Sequence, residues 1–220
     1  MTVTIGDDPH TAPELHRSAL IVIDTQVDFC DEGASPIPGT TEVLPTIHRL
    51  LTAYRNMGRP IVHVVRLYAG DDVDLSRRTA IAAGAPIVRP DSPGSQIAAA
   101  LLPNAAGPLD ASALIAGHLQ QLTPTESVVW KPRWNAFYRT PLDHHLQSLG
   151  ITTVVLAGCN YPNCPRATLY GASERDYRVL LVDDAISGVR PHHLAEATLL
   201  GAYAKSALHT VTTLLATTAR

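Results

Sequence analysis

The 220-residue sequence contains only three cysteines and no long hydrophobic run. A sparse, odd-numbered set of cysteines is typical of a reducing compartment and argues against a disulfide framework. No apolar stretch approaches the length of about 20 residues that a membrane-spanning helix needs. The polar segment Met1–Ser18 also lacks the basic and apolar regions of a secretory signal. These absences predict a cytoplasmic protein without a membrane partner.

Charge of either sign is also scarce. Charged residues make up 17% of the chain, and the net charge is −3. Lys and Arg are scattered and form no basic run, so a nucleic-acid partner is not expected. The hydrophobic share of 45% is ordinary for a globular protein, and a chain of this length can bury a core unaided. We expect one domain over residues 1–220, with a flexible N-terminal segment of about residues 1–17.

Strand-like and helix-like segments alternate along most of the chain. Five apolar, β-branched runs predict strands, at Ala19–Ile23, Ile61–Val65, Ser127–Trp130, Thr152–Leu156 and Arg178–Val182. A sixth run, Leu208–Thr213, has a weaker strand signal. Helical patterns occupy the segments between and after them, at Thr41–Met57, Phe137–Leu149, Arg166–Asp176 and His192–Lys205. The order predicts an α/β fold, a doubly wound three-layer α/β/α sandwich around a mostly parallel sheet of about six strands.

Residues 68–125 interrupt the alternation. Asp-rich and Pro/Gly-rich pieces surround two short helical patterns, Ser95–Leu102 and Ala111–Leu122. We interpret the segment as a long excursion over the strand ends and not as a second domain.

Cys164 is the first candidate for chemistry. It follows a strand and a turn, and Pro165 beside it is typical of the first helical positions. At a helix N-terminus the positive end of the macrodipole favours a thiolate, and the pKa of a cysteine can drop there. The alternative is a small buried hydrophobic residue, the commonest role of a free cysteine.

Two further candidates end predicted strands. Asp24 follows the first strand and Lys131 the third. In open α/β sheets, ligands bind outside the carboxyl ends of the strands, so these side chains can converge with Cys164. Taken singly, a strand-terminal aspartate often caps a turn and a strand-terminal lysine is usually solvated.

Three sequence blocks, residues 20–29, 131–140 and 156–164, together with Asp184-Ala185, resemble the isochorismatase-like cysteine hydrolases. The resemblance extends from Ser18 to about Thr213. It implies that Cys164 attacks a carbonyl carbon to form a thioester, that Asp24 accepts the thiol proton and later activates water, and that Lys131 holds the pair. It also implies a cis peptide between Cys159 and Asn160, with the N–H groups of Asn160 and Cys164 forming an oxyanion hole.

The sequence departs from relatives that bind a metal. The segment that begins at His63 lacks the Asp and two His of the nicotinamidase metal site, so we expect no metal and no cofactor. Isochorismatases themselves cleave a vinyl ether without a cysteine, and the presence of Cys164 favours an amidase. The leading hypothesis is a cysteine hydrolase that cleaves a C–N bond of a small amide, ureide or lactam. The alternatives are an ether hydrolase and a non-catalytic binding or assembly module.

Four aromatic residues are candidates for the walls of the substrate pocket, although each could equally belong to the core: Phe29, Trp134, Phe137 and Tyr161. Cys30 and Cys159 are predicted to serve packing. The partner expected for this chain is a small-molecule substrate. The resemblance also implies a homo-oligomer, a dimer or a tetramer.

Overall fold

The computed structural model describes residues 8–104 and 106–217. Its centre is a sheet of seven strands: β1 (Ser18–Ile23), β2 (Ile61–Val65), β3 (Gln120–Thr123), β4 (Glu126–Trp130), β5 (Thr153–Gly158), β6 (Arg178–Ile186) and β7 (Tyr203–Lys205). The strand order is β3-β4-β2-β1-β5-β6-β7. Neighbouring strands are parallel except for β3, which runs antiparallel to β4.

Helices cover both faces of the sheet. They are α1 (Thr40–Asn56), α2 (Leu75–Ala82), α3 (Ala111–Ile115), α4 (Leu142–Ser148), α5 (Cys164–Ser173), α6 (Pro191–Leu199) and α7 (Ala207–Ala216). Apolar residues of α1, α3 and α7 pack on one face, and those of α4, α5 and α6 pack on the other. The predicted three-layer α/β/α sandwich is confirmed.

The central strands are apolar throughout because both of their faces are covered. In β1, Leu20 and Val22 belong to the core under α1 and α7. Their neighbours Ala19, Ile21 and Ile23 belong to the core under α4 and α5. Successive side chains of a strand point to opposite faces, so a strand buried on both sides has no polar alternation.

Two segments have a secondary structure that differs from the predicted one. Leu208–Thr213 lies in helix α7, where Ala207, Thr210 and Leu214 are buried at helical spacing and Ser206 accepts a cap hydrogen bond from the His209 N–H. The segment predicted as one helix, His192–Lys205, ends as a helix at Leu199 and continues as strand β7.

The predicted helix Ala111–Leu122 is likewise divided. It ends as α3 at Ile115, and the chain turns at Gly117, whose φ of 89° is readily adopted only by glycine. The chain then enters strand β3. Short edge strands such as β3 and β7 are half-buried, so they lack the continuous apolar signal of the central strands.

The described part of the N-terminal segment packs against the sheet. Leu15 is buried, and the Glu14 N–H donates to Thr153 Oγ1 over 2.9 Å. Residues 1–7 of the predicted flexible segment lie outside the described residues. Within the described ranges, the helices are all too short or too polar to cross a membrane.

A buried ionic network connects α1 to β2 and β4. Arg55 donates from Nε and Nη2 to the two carboxylate oxygens of Glu126 over 2.8 and 2.7 Å, and His63 Nε2 lies 2.7 Å from Glu126 Oε1. Burial alone would raise the pKa of Glu126, but the hydrogen bonds from Arg55 and His63 outweigh it and lower that pKa to about 2. The network therefore depends on an ionised carboxylate.

We expect Glu126→Gln to lower the free energy of unfolding at neutral pH by roughly 2 kcal/mol, because it removes the counter-charge of the partly buried Arg55 and weakens its hydrogen bonds. The folded-state pKa of Glu126 lies below its ordinary value of 4.5. Its contribution is therefore complete above that pH and is lost as the pH falls towards 2. Urea unfolding between pH 2 and 7 measures both effects. The exposed Glu42→Gln is the control, and an equal pH dependence in both variants would contradict the assignment.

Candidate active site

The candidate site lies where the direction of chain progression in the sheet reverses. From β1 the chain proceeds to β2 and β4 on one side, and β5, β6 and β7 extend the sheet on the other. Asp24 follows β1, and the turn after β5 leads to Cys164. The carboxyl ends of two adjacent parallel strands thus flank a topological switch point, the usual ligand site of such sheets.

Asp24 and Lys131 form a buried ion pair. Asp24 has a φ of 52°, a left-handed conformation that aspartate tolerates better than most residues, and its N–H donates to Val64 O over 2.8 Å. Lys131 Nζ donates to Asp24 Oδ2 over 2.7 Å. Asp24 Oδ1 is buried and has no hydrogen-bond partner among the described residues. Lys131 therefore holds one carboxylate oxygen of Asp24.

Cys164 completes the group at the first residue of α5. Lys131 Nζ lies 3.2 Å from Cys164 Sγ, so one ammonium group contacts both the carboxylate and the sulfur. The three residues predicted from strand ends are thus brought together, although Lys131 must reach across the end of β2 from β4.

The pKa of Cys164 differs in direction from the sequence-based expectation. Burial and then the Asp24 charge raise the pKa to about 11, while Lys131 and Arg66 oppose them. The thiol is only 7% exposed, and such burial disfavours the charged thiolate. The resting thiol is therefore protonated, and a base must remove its proton before it can act as a nucleophile.

The predicted cis peptide between Cys159 and Asn160 is wrong, because this bond is trans in the structure. Backbone hydrogen bonds on both sides, from Cys159 N to Ile23 O and from Tyr161 N to Ser187 O, are satisfied with the bond in its ordinary trans form. A trans bond avoids the cost of about 3–4 kcal/mol of a non-proline cis bond. The N–H groups of Asn160 and Cys164 make no hydrogen bond within the described residues, and their use as an oxyanion hole stays a prediction.

A cavity of about 570 Å³ opens above Cys164. Its walls combine the site residues with the loop after β1 and the start of the excursion: Asp24, Phe29, Pro36, Ile37, Pro38, Arg66, Tyr68, Ser76, Arg77, Trp134, Cys159, Asn160, Asn163 and Cys164. Two of the four predicted aromatic residues, Phe29 and Trp134, line this cavity. Its size suits a small organic molecule.

The other two predicted pocket residues, Phe137 and Tyr161, belong to the core instead. The Phe137 ring stacks on Tyr177 at 5.7 Å between centroids. Tyr161 is fully buried, stacks on His193 at 4.8 Å and donates to the His193 carbonyl oxygen. Both belong to the core on the side of the sheet covered by α4, α5 and α6.

Sequence reasoning missed Arg66, Arg77 and Asn163 as cavity residues. Arg66 directly follows β2, as Asp24 follows β1 and Lys131 follows β4, so the same strand-end rule could have found it. Arg77 lies on α2 inside the excursion, where no periodic signal indicates which side chains face the cavity. Asn163 is the N-cap residue of α5, but its side chain makes no cap hydrogen bond.

No group of three potential metal ligands occurs within residues 8–104 and 106–217. His63, with which the segment compared to the nicotinamidase metal site begins, is paired with Glu126 under α1. The absence of a metal requirement remains a prediction about the enzyme in solution.

A model of the isochorismatase domain family matches residues 18–214. The chain belongs to this family. It is 30% identical over 186 residues to a probable inactive nicotinamidase of Arabidopsis thaliana, an alignment that covers 82% of this chain and 85% of the plant protein. It is 29% identical over 194 residues to the ureidoacrylate amidohydrolase of Methylobacterium radiotolerans, covering 82% of this chain and 70% of that enzyme.

A solved structure of an isochorismatase family protein from Desulfovibrio vulgaris shows the same fold. It has a TM-score of 0.75 and 29% sequence identity, and the similarity covers 93% of this chain and 99% of that one. The named relatives thus include an amidohydrolase and a protein described as inactive. Family membership alone does not show whether this chain is active, whereas the residues of its site bear on that question directly.

Gly158 allows the close approach of β5 to β1 on which the site depends. Its φ is 120°, and a Cβ at this position would overlap the Ile23 backbone. We expect Gly158→Ala to lower the free energy of unfolding by about 3 kcal/mol, from overpacking and backbone strain together. Gly150→Ala is the matched control, since Gly150 has a φ of 65° but open space around it. Urea unfolding that gives equal losses for both would show that backbone strain alone matters.

Proposed function

We propose that this chain is a cysteine-dependent amidohydrolase that cleaves a C–N bond of a small amide, ureide or lactam through a thioester intermediate. The observation that carries the proposal is the contact of one buried ammonium group, Lys131 Nζ, with both Asp24 and Cys164 at the floor of a cavity. A binding or assembly module has no need of a buried acid, base and thiol in mutual contact. The relationship to an amidohydrolase, 29% identical over 82% of this chain, supports the same assignment.

In the first half-reaction, Asp24 takes the proton from Cys164 Sγ. The thiolate attacks the carbonyl carbon, and a C–S bond forms while the carbonyl electron pair moves to oxygen. Collapse of this tetrahedral intermediate breaks the C–N bond, and the proton on Asp24 passes to the departing nitrogen. An ammonia or amine product leaves, and the acyl group remains on sulfur as a thioester.

In the second half-reaction, Asp24 takes a proton from water, and the resulting hydroxide attacks the thioester carbonyl. The C–S bond breaks, a carboxylic acid (or, from a ureide, a carbamic acid) is released, and the proton returns to sulfur. The raised pKa of Cys164 is consistent with this scheme, because a strongly basic thiolate is a good nucleophile and requires a partner base. Lys131 stabilises whichever of the two partners carries the negative charge.

Removal of either reacting group should abolish turnover. We expect Cys164→Ala and Asp24→Asn each to lower kcat/KM by at least 10³-fold, and the double variant to lose little more than either single one, since residues that act as a unit lose activity non-additively. Release of ammonia or amine from a panel of amides, ureides and lactams measures this loss. Cys30→Ala removes a thiol outside the cavity and is the matched control.

Two results would contradict this scheme. Full activity of Cys164→Ala on a confirmed substrate would indicate chemistry that does not use the thiol, such as ether hydrolysis. A double-variant loss equal to the product of the single losses would show that Asp24 and Cys164 act independently.

We also expect activity without a metal. The proposed steps use only the side chains of Asp24, Lys131 and Cys164, so dialysis against EDTA should leave kcat/KM unchanged. Atomic absorption of the dialysed enzyme provides the control for metal content. Activity that vanishes on dialysis and returns with zinc or manganese would overturn this expectation.

A further inference from the structure

Two guanidinium groups face the cavity above the proposed reaction centre. Arg66 follows β2, and Arg77 lies on α2. We propose that they form a binding site for a carboxylate group, so that the substrate is a small amide or ureide that carries a carboxylate. This inference rests on the proposed function, because it assigns the chemical class of the molecule that the cavity admits.

Arg66 is held rigidly with part of its hydrogen-bonding capacity unused. It is 2% exposed, and its backbone is fixed by Gln26, which accepts from the Arg66 N–H over 2.7 Å and donates to the Arg66 carbonyl oxygen over 2.7 Å. Arg66 Nη2 donates to Asp74 Oδ1 over 3.1 Å. Nη1 is buried and has no hydrogen-bond partner among the described residues, although it lies 3.1 Å from Asp74 Oδ2.

Asp74 pairs with Arg66 but does not satisfy all of its N–H groups. Its Oδ2 already accepts a hydrogen bond from the Tyr68 hydroxyl over 2.9 Å. A guanidinium has five N–H donors in a planar fork that matches a carboxylate. Arg66 therefore retains donors that only a further acceptor, such as a ligand in the cavity, would satisfy.

Arg77 adds a second cation at the cavity wall. Its Nη1 donates to Ser35 Oγ over 3.1 Å, and among the described residues no carboxylate oxygen lies within 4.0 Å of its guanidinium.

The charges around the cavity do not balance. Its lining contains two guanidinium groups, Arg66 and Arg77, and one carboxylate, Asp24. Behind the lining, Lys131 pairs with Asp24 and Asp74 pairs with Arg66. Lys131 and Arg66 each have a carboxylate partner, whereas Arg77 has none among the described residues, and a single carboxylate in the cavity would neutralise it.

The test compares two reagents that alkylate the same thiol. Iodoacetate and iodoacetamide both transfer a two-carbon group to Cys164 Sγ with loss of iodide, but only iodoacetate carries a carboxylate. Mass spectrometry of the Cys164 peptide gives the second-order rate constant of each reagent at one mildly alkaline pH. Because both reagents react with the same thiol, the ratio of the two rate constants cancels any change in the reactivity of that thiol. It therefore separates anion binding by Arg66 from the effect of Arg66 on the pKa of Cys164.

We expect the ratio in the wild-type protein to exceed that of glutathione by about tenfold, the effect of a charge-assisted hydrogen bond to an anion. Arg66→Gln and Arg77→Gln should each lower it towards the glutathione value, and high KCl should do the same. Arg78→Gln is the matched control, because Arg78 is the next residue of α2 but does not line this cavity. If buried Arg66→Gln does not fold, Arg77→Gln decides the question.

A wild-type ratio equal to that of glutathione, or an equal decrease in Arg78→Gln, would overturn the carboxylate site. A second measurement uses protection of Cys164 from iodoacetamide by 3-ureidopropionate and by n-propylurea, which differ in the carboxylate. Preferential protection by 3-ureidopropionate supports the site, and equal protection opposes it. Neither measurement requires turnover, so failure of the carboxylate site is distinguishable from failure of the proposed hydrolysis.

Discussion

The buried ammonium group of Lys131 is the constraint on which the rest of the site depends. Lys131 is fully buried, and an unpaired cation at such a depth would cost several kcal/mol. It is tolerated because Nζ contacts Asp24 and Cys164 at 2.7 and 3.2 Å. Each of these groups follows a different strand, so the electrostatic requirement fixes the relative positions of β4, β1 and the turn after β5. The packing of the sheet and the chemistry of the site therefore depend on the same contacts.

The carboxyl-end rule for parallel sheets explains why much of the site could be predicted from sequence. Asp24 and Lys131 directly follow apolar runs, and Cys164 precedes a proline at the start of a helix, so their convergence follows from the strand order alone. The central strands could be predicted equally well, because burial on both faces makes them apolar throughout. The edge strands β3 and β7 have no such signal, and their residues were assigned to helices.

Properties that depend on the three-dimensional surroundings could not be predicted. The pKa of Cys164 is raised because the thiol is buried beside Asp24, whereas its position at a helix start suggested the opposite. Phe137 and Tyr161 occur in the same sequence blocks as the site residues, yet their rings pack on Tyr177 and His193 in the core. Proximity in sequence to a reactive residue does not determine which face of the sheet a side chain covers.

The division of the cavity between two parts of the chain separates chemistry from recognition. Asp24 and Lys131 directly follow central strands and Cys164 begins α5, where backbone hydrogen bonds and packing leave little freedom. Ser76 and Arg77 belong to the excursion, and this segment is connected to the site by Asp28, whose Oδ2 accepts from the Val88 N–H over 2.6 Å. Substitutions in the excursion can therefore change which molecule enters without disturbing the Asp24–Lys131–Cys164 group. A fold arranged in this way can retain one reaction while its substrates diverge.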